Sequence, residues 1–388
     1  MRSSPWLLAG LSAAGGLAGM SVSITGPILV DMAHTYRVSE AAVGQLMTLA
    51  SVAGVASTLA VSPFLDRFGR RKGIAASLAC MAVACLDCAL APSFAVLAIG
   101  YCFVGLSGYL LYAQVLAAVG DLYDASFHGR AMGWVVFGNM GIPMLGLSAV
   151  GQVAQRFGWP WSYAMLAGLA APAALWAWFV IPGQARRRGP EPGMGYRQAF
   201  RALRSSRVAV AMLATLAFMC ASAYGSGTYI AVVAKQALGA STAAVGTVSS
   251  LRALGSMLFA LQAGFLLKRA DWRLLTAAGL ATALFGLASY LVPVNLLVFA
   301  AENLFYGLAI GAIDVGVNAT LASADAGGRG AVMAMRSTMD SLGGIVGPAL
   351  GGLALAAGGY QLAGWLFALL GLGAAIAAAG SAPQAHRT

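Results

Sequence analysis

The sequence predicts an all-α membrane protein: two six-helix bundles related by pseudo-two-fold symmetry, with 12 transmembrane helices in all. Three observations predict it. The 388 residues are 60% hydrophobic and 9% charged, against about 25% charged in a soluble domain, so polar surface is too scarce to cover a globule in water. The apolar residues fall into runs of about 20, the length a helix needs to cross a bilayer. The second half of the chain also repeats features of the first at a nearly constant offset. A mean hydropathy of +0.81 agrees with this reading, and 50 glycines suit close helix packing in lipid.

Taken in order, the runs place spans at 6–31, 41–65, 74–91, 94–119, 131–155 and 160–181. The first is too long for the apolar stretch of a signal peptide and reads as a retained helix. Pro182, Pro190, Pro192 and seven arginines between Arg186 and Arg207 then interrupt the series. Six further spans follow at 208–234, 242–267, 274–292, 295–322, 331–357 and 360–380. The uncharged stretch from Ser341 to Ala385 must fold back once, and Gly358-Gly359 is its natural turn. The domains expected are therefore an N-terminal bundle at 1–181, a cytoplasmic linker at 182–207 and a C-terminal bundle at 208–388. Within the linker, Tyr196–Arg207 has the composition of a short amphipathic helix lying on an anionic leaflet.

The formal charge of +11 does not imply a nucleic-acid partner, because the basic residues sit in short clusters between spans. With both termini placed in the cytoplasm, 18 Lys and Arg fall on the inner side and only Arg37, Arg156 and Lys235 on the outer. That asymmetry predicts a multi-pass protein of the inner membrane with cytoplasmic N- and C-termini. Cys80, Cys85, Cys88, Cys102 and Cys220 all lie inside apolar runs, which argues against a disulfide framework or a metal site.

The repeat is specific. After span 2 comes Ser62-x-x-x-Asp66-Arg67-x-Gly69-Arg70-Arg71, and after span 8 comes Gly264-x-x-x-Lys268-Arg269-x-Asp271-Trp272-Arg273, 202 residues on. Span 5 carries Gly138-x-x-x-Ile142-Pro143-x-x-Gly146. Span 11 carries Gly343-x-x-x-Gly347-Pro348-x-x-Gly351-Gly352, 205 residues on. Two repeated bundles flanking one site is a common construction of secondary transporters.

On these residues the chain resembles the major facilitator superfamily. The loop after span 2 is similar to that family's G-x-x-x-D-R-x-G-R-R signature from Asp66 to Arg71, with Ser62 in place of the leading glycine. Span 5 is similar to the antiporter signature g-x8-G-x3-G-P-x2-G-G, matching at Gly129, Gly138, Pro143 and Gly146, with Ile142 and Leu147 in place of glycines. The resemblance implies a secondary transporter working by alternating access, closest to drug:proton antiporters. Such carriers usually place an arginine on the fourth helix in R-x-x-x-G. This chain has Tyr101-x-x-x-Gly105 there, so a mechanism using that arginine does not transfer.

The resemblance also implies a cytoplasmic latch built on Asp66, Arg67, Gly69, Arg70 and Arg71, with Arg130 as a further partner. The plainer reading is a topogenic charge cluster. Gly138, Pro143, Gly146, Gly343, Gly347, Pro348 and Gly351 read as positions of helix bending and close packing.

Ionisable side chains inside spans cost several kcal/mol and are usually paired or functional. The second half has Arg252, Glu302, Asp314, Arg336 and Asp340, and Arg336 lies four residues before Asp340 on one helical face. A carboxylate in poorly hydrated surroundings favours its protonated form, so Asp314 is the first proton-coupling candidate and Glu302 the second, followed by Asp340 and Asp87. The alternative is static ion pairing, Asp314–Arg336 or Asp340–Arg252. Asp31 reads as an interfacial helix-end residue. Tyr101, Tyr109, Tyr112, Gln114, Asn139, Tyr224, Tyr229, Tyr306 and Asn318, with Arg252 and Arg336, are the substrate-cavity candidates. Tyrosine offers a flat wall with one polar end, suited to an amphipathic solute or an organic cation.

The expected activity is therefore transport of a small organic solute, as proton-coupled efflux or, alternatively, as uptake of a small organic acid. An enzyme is not expected, since no G-x-S-x-G or His/Glu metal set is present. No cofactor beyond a proton gradient, no metal and no nucleic acid is implied. The partners are the solute and the bilayer, and the protein is expected to be a monomer.

Overall fold

The computed structural model describes residues 5–61, 68–123, 125–182, 206–266, 272–323 and 329–382. Every described element is helical. Span 1 is α1 (Pro5–Ser23) with α2 (Thr25–Tyr36), and spans 2 to 6 are α3 (Glu40–Ala60), α4 (Arg70–Leu90), α5 (Phe94–Leu122), α6 (Ala125–Phe157) and α7 (Pro160–Val180). Span 7 is α8 (Arg207–Thr228) with α9 (Ile230–Leu238). Spans 8 to 10 are α10 (Thr242–Leu266), α11 (Trp272–Leu291) and α12 (Leu296–Ser323), and α13 (Arg329–Ala379) carries the last two.

Among the described residues, 11 helices are long and apolar enough to cross a membrane, the last of them 45 residues long. A straight helix of that length would run about 68 Å, more than twice the roughly 30 Å hydrocarbon core. It does not run straight. Gly358 (φ −153°, ψ 25°) and Gly359 (φ 67°, ψ −169°) leave helical geometry. Gly347 and Phe367, 20 residues apart, both lie against Gly225 of α8, which a straight helix about 30 Å long between them would forbid. The predicted turn is present, and the described residues hold 12 spans, as the sequence implied.

Helix starts follow from side-chain caps. Ser39, Ser93, Ser206, Ser241 and Asn295 each accept a hydrogen bond from the backbone N–H three residues on. The two breaks inside spans 1 and 7 were not expected. In span 1 the cause is Pro27, whose missing N–H and ring disturb the turn that ends at Ser23. In span 7 the break falls at Tyr229 (φ −98°, ψ 10°).

The chain divides into two compact units, Met1–Gly189 with Thr228–Ala253, and Pro190–Gly227 with Leu254–Thr388. In the first, α1 packs on α5 and α6, α3 on α5, and α4 on α5 and α7. In the second, α11 packs on α12 and α13, and a buried cluster joins Met212, Leu216 and Met219 of α8 with Ile313 and Val317 of α12. Large apolar side chains also face outward: Leu90 is 78% and Leu297 81% exposed. Such a surface is stable only where lipid is the solvent. The amphipathic helix expected near Tyr196–Arg207 falls almost wholly outside the described residues.

Candidate functional site

The charged side chains of the second unit converge. Arg336 on α13 donates from Nη2 to Asp314 Oδ1 on α12 at 2.5 Å, with 25% of the arginine and 19% of the aspartate side chain exposed. Asp340 follows Arg336 by one turn. Its carboxylate accepts hydrogen bonds from Tyr224 Oη and Cys220 Sγ of α8, each at 3.3 Å. Arg336 Nε is buried and has no hydrogen-bond partner among the described residues. The cluster thus sets one guanidinium among two carboxylates, with neutral donors on the second. Of the ion pairs weighed from sequence, Asp314–Arg336 forms. Beside it lies apolar packing by Met335, Met339 and Phe259, which keeps the local dielectric low and the charges interdependent.

The remaining candidates are spread over both units. Glu302 accepts from Ser289 Oγ at 3.1 Å, between α12 and α11. Tyr306 is buried, with its hydroxyl against Ser222 (2.8 Å) and Ser226 (3.2 Å) of α8. In the first unit, Tyr101 is fully buried and shares the Thr25 hydroxyl (2.5 Å) with Tyr163 (3.0 Å), just past the break in span 1. Tyr109 lies over Gly54 with its hydroxyl 3.4 Å from Ser51. Asn139 donates to the Gly15 carbonyl at 2.9 Å, and Tyr229 is buried against Gly44. Tyr112, Arg252 and Asn318 are half-buried, and Asp87 is exposed beside Gly100. Among the described residues, no three His, Cys, Asp or Glu side chains group as metal ligands.

Asp66 and Arg67 lie outside the described residues. Gly69 (φ 87°) starts α4 in a conformation that suits glycine alone. Arg70 donates to Asp121 Oδ2 at 2.7 Å and to Gln114 Oε1 at 3.1 Å. Arg71 stacks over Trp178 at 4.7 Å, and Arg130 is exposed, 5.7 Å from the Phe127 ring. The sequence reading missed Asp121 because it ended span 4 at residue 119. The helix continues to Leu122, which puts Asp121 seven residues beyond Gln114 on the same face, a period that was there to be read.

The glycine motifs explain how each unit closes. Gly138 meets the Ser12 carbonyl with no room for a Cβ, and Gly347 likewise meets the Ala221 carbonyl. Ile142 occupies the place equivalent to Gly347, and there the small residue has moved to the partner helix: Gly16 faces Ile142. The departure from the signature is thus compensated across the contact. Pro143 offers no N–H to the Asn139 carbonyl, which is left beside Gly19 of α1. Pro348 sits inside α13 at the equivalent point, Gly146 packs on Met20, and Gly343 on Cys220 and Ala221, while Gly351 is buried.

The profile of the Major Facilitator Superfamily matches residues 11–324 and 215–387. The chain belongs to the major facilitator superfamily. This facilitator is 28% identical over 211 residues to the chloramphenicol efflux pump Rv0191 of Mycobacterium tuberculosis, covering 54% of this chain and 50% of that one. It is 28% identical over 180 residues to the uncharacterized transporter YgaY of Escherichia coli O157:H7, covering 46% and 45%. The matches span about half the length of these curated relatives. Among solved structures, the facilitator is similar to a bacterial homolog of the human lysosomal transporter Spinster in an inward-facing, unoccupied conformation (TM-score 0.77, 16% identity, 98% and 97% coverage). It is similar also to a D-xylose-proton symporter (TM-score 0.76, 18% identity, 97% of each chain). Both likenesses concern the fold. The chain is a membrane transporter of this family, not an enzyme.

Proposed function

We propose that this facilitator exports a small amphipathic organic solute in exchange for protons, by alternating access and as a monomer, with both termini in the cytoplasm of a bacterial cell. The observation that carries the coupling is the surplus carboxylate of the second unit. Arg336 is engaged by Asp314, so Asp340 faces hydrogen-bond donors that are uncharged. A carboxylate so placed can gain and lose a proton while the ion pair beside it persists. This moves the first choice of proton site from Asp314 to Asp340. The efflux direction draws support from the relatives named as efflux pumps, and the orientation from the 18-to-3 distribution of basic residues. No cofactor is needed beyond the gradient. Uptake of an organic acid would need Arg252 or Arg336 to hold a carboxylate, and Arg336 already holds one.

The test uses proteoliposomes with chloramphenicol as first probe and an imposed pH gradient. In Asp340→Asn, gradient-driven accumulation is expected to fall at least about tenfold while gradient-free counterflow persists, because an amide keeps the hydrogen bonds but cannot titrate. Unchanged gradient dependence in that variant would show that the proton binds elsewhere.

A further inference from the structure

We propose that Asp31, Lys235 and Thr242 are gating residues: a three-member lock that holds the predicted outer ends of spans 1, 7 and 8 together in one state of the cycle. All three belong to the first compact unit, which includes Thr228–Ala253. Lys235 Nζ donates to Asp31 Oδ1 and to Thr242 Oγ1, both at 2.6 Å, and Thr242 Oγ1 donates to Asp31 Oδ2 at 2.8 Å. Both carboxylate oxygens are used, and each member contacts the other two. The lysine side chain is 16% exposed and the aspartate 34%, so the pair is shielded from water better than a surface ion pair, which is worth little.

A second observation concerns the repeat. The two helices that carry Asp31 and Lys235 end alike, in left-handed residues Arg37 and Gly239 that stand 202 apart. Lys235 lies two residues beyond the position that repeats Asp31, within the same last turns of the matching span. The two matching ends thus meet with opposite signs, which turns the meeting point into an attraction.

A third observation shows that the contact is a seam and not an isolated pair. Gly151 of α6 and Gly246 of α10 approach backbone to backbone, since a Cβ on Gly151 would lie 3.0 Å from the Gly246 Cα. Ser148 N donates to Ser250 Oγ at 2.8 Å, and Gln236 to Glu40 at 2.9 Å. Direct glycine contact and a satisfied ionic ring fit a closed position reached reversibly, because small residues separate without leaving a side chain to be repacked. The inference rests on alternating access and is independent of the proton site and of the solute.

The test reads distance, with no solute present. Spin labels go at His34, which is exposed, and at Ala237, which is half-buried, in protein whose five cysteines have been replaced, reconstituted in lipid nanodiscs. The parent should give one dominant short distance. Asp31→Asn and Lys235→Met should each raise the longer-distance fraction about fivefold, and the exchanged pair Asp31→Lys with Lys235→Asp should restore the short distance. Thr242→Val, which removes only the bridging hydroxyl, should show a smaller shift in the same direction and serves if a charge variant fails to fold. Single variants with the parent's distribution, or an exchanged pair that stays open, would overturn the assignment.

Discussion

Arg336→Met should cost this protein most of its folded yield, and Asp314→Asn in the same chain should return it. Arg336 is the described cation of a cluster holding Asp314 and Asp340. Without it, two carboxylates remain in apolar surroundings with one phenol and one thiol as described donors. Breaking a buried pair by removing one partner typically costs about 3–5 kcal/mol, and the partial exposure of both side chains places this case near 3. That is a large share of a typical folding stability. Removing the Asp314 charge as well leaves only Asp340, whose hydrogen bonds from Tyr224 and Cys220 survive both changes, so the double variant should recover most of the loss. Thermal melting in detergent after size exclusion gives the comparison. If Arg336→Met melts like the parent, the pair contributes nothing to stability, and its role must be sought only in transport.

Gly347→Ile should be the most damaging single change in the glycine motifs, and Ala221→Gly should not repair it. Gly347 touches the Ala221 carbonyl and the Gly225 backbone, neither of which can move without displacing α8. An isoleucine there overpacks a helix crossing, at about 3 kcal/mol or more. The first unit, however, already contains the inverse arrangement, Ile142 against Gly16. That arrangement does not transfer by removing one methyl group, because the atoms that crowd position 347 are the Ala221 carbonyl and the Gly225 nitrogen, and a glycine at 221 keeps both. Gly347→Ile with Ala221→Gly should therefore melt no higher than Gly347→Ile alone, whereas Gly347→Ala should cost less than the isoleucine. Recovery in the double variant would mean that α8 shifts to open the contact.

Much of this architecture was legible before any coordinates. A span needs about 20 apolar residues wherever it lies, so composition alone located 12 of them, and the observed helices begin and end within a few residues of the predicted runs. The Gly358-Gly359 turn was forced by length. The breaks in spans 1 and 7 were less visible. Pro27 was a signal that the unbroken apolar run obscured, and Tyr229 carries no local signal at all, since its backbone bends where the ring is buried against Gly44.

The sequence by itself determined that this chain lives in lipid, that it is built twice, and which few residues in its spans are charged. Those are properties of spacing and composition, which the solvent enforces locally. Only the tertiary structure decided which charges meet. Asp314 and Asp340 look alike in the sequence. The packing of α8, α12 and α13 gives one a guanidinium and the other a phenol and a thiol. Asp31 read as a helix end until Lys235, far along the chain, was found against it. Pairing depends on the rotation and depth of each helix, and these are set by side-chain contacts summed over whole helix faces, which no stretch of sequence encodes alone.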